Sequence, residues 1–402
     1  MTFSEIKDIE IQEFSTSANC QTYLLKYKDT FFEVGRDVVV LLNCMQEYDV
    51  QEDAVAFYRE SANGQYSAQE INEFLKQLFE KLEPEKNAEV KAKKTKSFLY
   101  SHELISASMI EFCTQWLRFL FQKKVMFLVG CIFLALEIYF FTNTMMEISV
   151  PHINLYLIGG LLLFFVFSSL FHEFGHASAC RHFGIKHGSI GFGLYINFPV
   201  FYTDVSNIWK LPRGQRCIVN LAGVYFQAIL LIPFLVGFMY TYNDLLKYII
   251  WMMNLNFLIT LNPFFKFDGY WLMTDLLGVA NLRRKGNEYI KYLFRKFTGK
   301  PVGQKPYLFF LKKKAKLSLI VYTAVVNCFF AYYFVYLIPM FLLRFCRLFP
   351  DQFNLLLREL ANHQMPDWVN LQQMSTQLLF LGLTIFMVYR MVKPIIDKLK
   401  RT

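Results

Sequence analysis

Six runs of about 20 apolar residues dominate the sequence, and a helix of that length crosses the hydrocarbon core of a bilayer. The chain has 402 residues, of which 54% are hydrophobic. A water-soluble protein of this size keeps more of its surface polar. The sequence therefore predicts a polytopic α-helical membrane protein. The predicted spans are residues 125–143, 154–177, 217–240, 246–265, 317–343 and 376–392.

Positive charge is distributed unevenly between these spans. The formal net charge is +10, and the basic residues lie beside the apolar runs. This favours the lipid bilayer, with its anionic surface, and not nucleic acid as the partner. Lys and Arg cluster after the second span, after the fourth and in the tail, whereas segments 144–153 and 241–245 have none. Because basic loops stay in the cytoplasm, we expect a multi-pass plasma-membrane protein with both termini cytoplasmic.

The first 90 residues have the pattern of a small soluble domain. Apolar and polar residues alternate around Lys28-Asp29, which predicts a β-hairpin. Ser67 and Glu70 have the spacing of a capping box that opens a helix. A hairpin followed by three short helices predicts a winged-helix-like α+β module. The stretch resembles the PqqD-like domains that recognise the leaders of ribosomally made peptides, and a generic cytosolic cap is the alternative.

Two further segments have a predicted placement. Residues 91–124 are expected to contain the end of a charged linker, which spans 84–97, and an amphipathic helix over 98–122 that lies in the membrane interface. The remaining 125–402 form the membrane domain. Within it, residues 188–205 are apolar, glycine-rich and alternating, which predicts a re-entrant β-hairpin whose edge would pair with an extended substrate. An ordinary cytosolic loop is the alternative.

The second span ends in an HExxH motif, which comprises His172, Glu173, Phe174, Gly175 and His176. Positions i and i+4 share one face of a helix, so the two imidazoles can bind one zinc ion. Glu173 lies beside them and is the candidate general base. Ionisable groups at the end of an apolar span are costly and indicate function. The alternative is that the histidines cap the helix and Glu173 pairs with a basic neighbour.

A third zinc ligand is expected from another span, because a catalytic zinc has three protein ligands and one open position. Asp268 follows the fourth span at the same cytoplasmic level as the HExxH motif. Pro263 and Gly269 would break the helix there and turn the carboxylate inward. We therefore expect Asp268 to hold Zn²⁺ together with the two histidines. A surface ion pair with Lys266 is the alternative.

The order of these motifs resembles a known family. An HExxH span followed by Pro-x-x-x-x-Asp-Gly is similar to the site-2 protease family of intramembrane zinc metalloproteases. Pro263, Asp268 and Gly269 match that spacing, and the resemblance covers residues 154–275. It implies that the three expected ligands bind zinc and that Glu173 is the catalytic base.

Two positions depart from the family pattern. The family often has Asn three residues before the proline, where this chain has Thr260. Its Gly-Pro followed by Asn in the middle span corresponds to Gly223-Val224 and Gln227 here. The sequence around Asp268 is more similar to bacterial members of the family that act in peptide maturation or export.

Amide side chains in and near the third and fourth spans are the remaining candidates. Asn220, Gln227 and Asn262 are candidates for lining the site, for binding substrate and for stabilising the oxyanion of acyl transfer. Hydrogen bonding between helices is the alternative. Glu137 lies inside the first span, and the sequence leaves its role open.

Together these features predict a zinc metalloendopeptidase that cuts a peptide bond at or within the membrane. One fitting substrate is a ribosomally made peptide presented through its leader to residues 1–90, with an export transporter as a candidate partner. The other is a membrane-anchored regulator that is cut to release a signal. A metal-binding transporter or immunity protein without protease activity is the rival from another class. It would spread its polar groups over several depths, or lose Glu173.

Overall fold

The fold is described from a computed structural model. The structure describes residues 3–28, 30–61, 66–82, 98–144, 155–195, 198–301, 303 and 305–399. The predicted charged linker at 84–97 lies outside these residues. The chain divides into one unit of Met1–Tyr195 with Pro199–Leu319 and a second of Ile196–Phe198 with Ile320–Thr402.

The described elements are mostly helices. The α-helices are α1 Arg36–Glu47, α2 Gln51–Ser61, α3 Ala68–Leu82, α4 Ala107–Leu117, α5 Lys123–Asn143, α6 Leu155–His182, α7 Arg213–Thr241, α8 Asp244–Thr260, α9 Asp268–Leu277, α10 Leu282–Phe297, α11 Lys313–Tyr332, α12 Ile338–Ala361 and α13 Trp368–Leu399. The strands are β1 Glu10–Phe14, β2 Thr22–Tyr27, β3 Thr30–Gly35, β4 Phe98–Ile105, β5 Ile190–Tyr195 and β6 Phe198–Thr203.

Four helices are long and apolar enough to cross a membrane within the described part of the chain. They are Lys123–Asn143, Gly159–His182, Arg213–Thr241 and Lys313–Ala361, the last of which comprises α11, the π-helical residues Tyr333–Leu337 and α12. Large apolar side chains on them point outward, such as Phe127 and Leu163, as side chains that meet lipid do. The first, third and fifth predicted spans lie within three of these helices, and Gly159–His182 covers residues 159–177 of the second. The fourth and sixth fall in helices α8 and α13, which are not among the four, so a count of six spans stays a prediction.

Close packing of α6 on α7 builds the centre of the first unit. A Cβ at Gly175 of α6 would lie 2.4 Å from the Ala222 carbonyl oxygen of α7. Only glycine permits this approach, as at other small-residue contacts between membrane helices. Next to the contact, Phe226 stacks on Phe121 with ring centroids 5.7 Å apart. The two helices are therefore held at a fixed separation.

Polar side chains between the apolar helices have partners. Glu137 in α5 is buried, and the Asn254 amide of α8 donates to its two oxygens at 3.2 and 3.3 Å. An unpaired polar group costs several kcal/mol in hydrocarbon, so this contact stabilises the packing of α5 against α8.

The N-terminal sheet has the order β1-β2-β3, with both neighbouring pairs antiparallel. The β2–β3 pair confirms the predicted hairpin, and β1 is an additional strand. Helices α1 to α3 follow and bury an apolar core that includes Leu25, Leu42 and Leu75. At the start of α3 the Ser67 hydroxyl accepts from the Glu70 N–H at 3.2 Å, while Glu70 accepts from the Ser67 N–H at 2.8 Å. The predicted capping box is thus formed.

A second sheet of order β4-β5-β6 contains the predicted hairpin of residues 188–205. Whether this hairpin re-enters a membrane stays a prediction. The expected interfacial helix over 98–122 differs in its first part, because Phe98–Ile105 forms strand β4 and pairs antiparallel with β5. Backbone hydrogen bonds to a distant strand override the local helical pattern there. Helix α4 follows, with Ile110 buried and Trp116 exposed.

The second unit contains a pair of helices with an aromatic and amide contact. Phe341 of α12 meets Phe380 of α13 edge to face, with centroids 4.4 Å apart. Gln352 donates to Gln373 at 2.8 Å. Aromatic edge contacts and amide bonds of this kind pair the two helices.

We expect Ser67→Ala to loosen α3, because the substitution removes a side-chain N-cap. The Glu70 carboxylate, whose pKa is lowered first by the bond from the Ser67 N–H and second by the bond from the Ser67 hydroxyl, keeps the first of these bonds in the variant and loses the second. Hydrogen exchange of residues 68–82 should accelerate roughly fivefold at neutral pH. The part of this acceleration that comes from the lost bond between the Ser67 hydroxyl and the Glu70 carboxylate should decrease as the pH falls through the lowered pKa of Glu70. Protonation removes the charged acceptor of that bond in wild type as well. Ser67→Thr keeps the hydroxyl, and equal exchange in both variants would contradict the capping assignment.

Candidate metal centre

Helix α6 places the two histidines of the HExxH motif on one face. His172 and His176 are both buried, and their Nε2 atoms lie 3.1 Å apart. The rings are edge to face, with centroids 4.8 Å apart. This follows from the helical pitch, because residues four apart are neighbours on the helix surface.

The other nitrogen of each ring is engaged by a neighbouring helix. His176 Nδ1 lies 2.8 Å from the Val219 carbonyl oxygen. His172 Nδ1 lies 3.2 Å from Gln227 Oε1, and Gln227 Nε2 donates to Ser168 at 3.0 Å. A carbonyl oxygen only accepts, so each Nδ1 carries a proton, and each Nε2 is the ring nitrogen that can bind a metal ion. Histidines that bind metals have the same support.

The turn between α8 and α9 brings the carboxylate to these rings. Asn262 Oδ1 accepts from the Phe264 N–H at 2.7 Å, and this hydrogen bond closes a tight turn. A Cβ at Gly269 would lie 2.0 Å from the Leu261 carbonyl oxygen, so α9 begins directly against the end of α8. Asp268 is the first residue of α9. The helix dipole favours a carboxylate at that position.

Three lone-pair donors converge at this point. Asp268 Oδ2 lies 2.9 Å from His172 Nε2 and 3.2 Å from His176 Nε2. Three electron-rich atoms this close repel one another unless a positive charge lies among them. These are the side chains of the described chain that together could hold a metal ion.

The donor set fits zinc. Two imidazole nitrogens and one carboxylate oxygen are common ligands of catalytic zinc sites, which keep one position open. Ligands at about 2.0–2.2 Å from a tetrahedral zinc are separated by roughly 3.3–3.6 Å. The observed separations of 2.9–3.2 Å are a few tenths of an ångström shorter. A small outward adjustment of the side chains would accommodate the ion.

Gly223 of α7 packs directly against the first of these rings. A Cβ there would lie 2.3 Å from both Nε2 and Cε1 of His172. Any larger residue must displace the imidazole, since real Cβ atoms do not approach so closely. Gly223 therefore sets where the His172 ring lies.

Glu173 is the neighbour of the metal-facing histidines. Its side chain is buried, and its carbonyl oxygen accepts from Thr203 of β6 at 3.4 Å. Among the described residues its carboxylate has no hydrogen-bond partner, which leaves both oxygens available to water or substrate.

The three amides named from the sequence lie in different surroundings. Gln227 bonds His172 and also accepts from Asn256 at 3.3 Å. Asn220 donates to Asp275 Oδ2 at 2.7 Å. The Asn262 side chain forms the turn before α9. All three therefore have structural contacts, and a role in binding substrate or oxyanion stays a prediction.

Val219 and Ser168 support the two histidines, although neither was predicted from the sequence. A signal for the first was available, because Val219, Gly223 and Gln227 are spaced by four and share one face of α7. That face meets the HExxH motif. A buried metal-binding histidine needs an acceptor for its second nitrogen. The helix that faces the motif is the element expected to supply that acceptor.

A comparison with known proteins finds a distantly similar protein whose name agrees with this chemistry. The chain is 26% identical over 133 residues to a protein of Bacillus subtilis (strain 168) named "Putative peptide zinc metalloprotease protein YydH". The match covers 32% of this chain and 53% of that protein, so the chain spans about half the length of this relative. No protein-family model matches the chain, and no solved structure matches it.

Gly223→Ala should weaken zinc binding about 10-fold or more, because its methyl group must push the His172 ring away from the other two ligands. Gly214→Ala is the matched control, since a Cβ at Gly214 in the same helix meets open space. Zinc affinity of the purified full-length chain, measured against a chromophoric chelator, checks this. Equal zinc affinities in the two variants would contradict the placement of Gly223.

Proposed function

We propose that the chain is a membrane zinc metalloendopeptidase of the site-2 protease type. The observation that carries the proposal is the convergence of His172, His176 and Asp268 beside a buried Glu173. The distant similarity to a protein named as a peptide zinc metalloprotease supports the same chemistry. A transporter would need ligands at several depths, whereas this cluster lies at one level.

The roles of the residues follow from their chemistry. His172, His176 and Asp268 would hold the zinc, with each histidine oriented through its Nδ1 bond. A zinc ion bound there supplies Lewis acidity toward water and toward the carbonyl of the scissile bond. Glu173 accepts the proton of the attacking water and delivers it to the leaving amine. The buried position of Glu173 limits access of bulk water to that proton.

The membrane setting of this site is part of the proposal. The HExxH motif lies in the second half of the candidate span Gly159–His182, and Asp268 follows helix α8. The basic loops at this end would face the cytoplasm by the positive-inside rule. We therefore infer a multi-pass plasma-membrane protein with both termini in the cytoplasm and cleavage near the cytoplasmic interface.

The preferred substrate is a ribosomally made peptide. The N-terminal domain has a hairpin followed by three helices, in the manner of leader-binding modules, and the relative is named for a peptide. The leader would bind residues 1–90, and an export transporter is a candidate partner. Strand β5 lies between β4 and β6, so an extended substrate that adds to this sheet would meet β4 or β6. Cleavage of a membrane-anchored regulator is the second substrate class.

Glu173→Gln tests the mechanism. The variant keeps all three metal ligands and loses the base, so we expect zinc content to be unchanged while cleavage falls by about 10²–10⁴-fold. Peptides in cells that carry wild type or Glu173→Gln are compared by mass spectrometry, and zinc is measured in the purified chains.

Two results would refute the proposal. The first is full cleavage by Glu173→Gln at normal zinc content. The second is a wild-type chain whose zinc affinity does not depend on His172 or Asp268. Glu73→Gln, the same change of residue type at an exposed position of α3, controls for a non-specific effect of substitution.

A further inference from the structure

Helix α9 carries Asp268 at one end and is held by charged side chains at the other. Arg213 of α7 donates to the carbonyl oxygens of Asp275 at 3.0 Å and of Leu276 at 2.6 Å. These are carbonyls of the last turn, which lack partners within the helix. Gly278 then ends the helix in the left-handed conformation, at φ +63°. Arg213 therefore caps the C-terminus of α9.

A buried ion pair joins the same turn to α7. Arg216 Nε donates to Asp275 Oδ1 at 2.5 Å, and the two side chains are 2% and 5% exposed. Asn220 donates to the second carboxylate oxygen at 2.7 Å. Asn220 follows Val219, whose carbonyl orients His176. One stretch of α7 thus supports both the histidine and the far end of the helix that carries Asp268.

The N-terminal domain completes this contact. Ser17 Oγ accepts from Arg213 Nη1 at 3.0 Å, and the Ser17 N–H donates to the Gly278 carbonyl oxygen at 3.0 Å. A Cβ at Gly278 would lie 2.6 Å from both Ser17 Oγ and Arg213 Cζ, so the junction is tightly packed. The loop after β1 therefore reaches the C-terminus of α9 directly.

An aromatic contact reinforces the junction. The Phe14 ring lies 5.0 Å from the Arg216 guanidinium carbon and 5.9 Å from the Trp209 ring. Trp209 in turn lies 6.4 Å from Trp271, one turn after Asp268. A guanidinium over an aromatic face is stabilised electrostatically, more so when both are buried. Phe14 thereby contributes to the junction that holds the C-terminal end of α9.

We propose that the segment Phe14–Ser17 of the N-terminal domain, with Arg213 and Arg216, is a clamp that positions Asp268 for the metal. This rests on the proposed function, since it assigns Asp268 as a ligand. Helix α9 has 10 residues and acts as a rod of about 15 Å. A shift of its clamped end therefore moves the carboxylate at the other end. The clamp residues are positioning residues, because none touches the metal-facing atoms.

The clamp couples the N-terminal domain to the metal centre. A change in the positions of Phe14 and Ser17 against α9 would move the Asp268 carboxylate. The affinity of the site for the metal would then change as well. By reciprocity, metal binding strengthens the docking of the domain by the same factor. A peptide that binds the domain and shifts the loop after β1 would thus tune the site.

Arg213→Gln tests the clamp, and Phe14→Leu is a second variant that keeps an apolar side chain. We expect zinc affinity of the purified full-length chain to fall about 10-fold or more in Arg213→Gln. The decrease should be about two- to fivefold in Phe14→Leu, which removes only the aromatic face. Glu10→Gln is the matched control, because Glu10 bonds Lys210 at the same domain junction without contact to α9.

The cobalt(II) absorption spectrum separates positioning from general destabilisation. If the clamp positions Asp268, the spectra of Arg213→Gln and Phe14→Leu shift toward that of Asp268→Ala, because the carboxylate is lost or displaced. Glu10→Gln should keep the wild-type spectrum. The unfolding temperature and elution profile establish that each variant is folded, and Phe14→Leu decides the matter should Arg213→Gln fail to fold.

Three results would overturn the clamp. They are a folded variant pair with zinc affinity within twofold of wild type, weaker binding with an unchanged cobalt spectrum, and a Glu10→Gln defect as large as that of Arg213→Gln. Failure of the proposed function has a different signature. In that case wild type itself shows no zinc affinity that depends on His172 and Asp268, whatever the clamp variants do.

Discussion

Two imidazole nitrogens and a carboxylate oxygen face one another within 2.9–3.2 Å, and much of the surrounding structure serves to hold them there. Such a cluster is repulsive without a positive charge at its centre. The pitch of α6 supplies the two nitrogens, and the abrupt start of α9 supplies the oxygen. Gly175, Gly223 and Gly269 let backbone and rings approach where a Cβ would collide. Small residues at these three points are thus a condition of the site.

Around the cluster, polar groups between apolar helices are paired with one another. Gln227 links His172 to Ser168 and Asn256, and the Val219 carbonyl fixes the tautomer of His176. In a medium with little water, an unpaired donor or acceptor is costly. The same bonds that satisfy these groups therefore orient the histidines, so stability and metal chemistry depend on one set of contacts.

The N-terminal domain contacts the helices that surround the candidate metal centre. Its loop after β1 meets Arg213 and the end of α9, and Glu33 of β3 pairs with Lys285 of α10 at 2.9 Å. The domain therefore contacts the helix that begins with Asp268, so a movement of the domain reaches one of the three side chains of the candidate metal centre.

The sequence determined what short-range geometry fixes. Helical pitch places His172 and His176 on one face, and the Ser67 capping box and the hairpin at Lys28 follow from local hydrogen bonding. Apolar length predicts six spans, of which four fall in helices long and apolar enough to cross a membrane. The tertiary structure decided what joins distant segments: the distances from Asp268, which the sequence predicted as the third ligand, to both rings, the pairing of 98–105 with 190–195, and the burial of Arg216 against Asp275. Local patterns do not encode such contacts, because they form only when whole helices pack and chain closure brings their ends together.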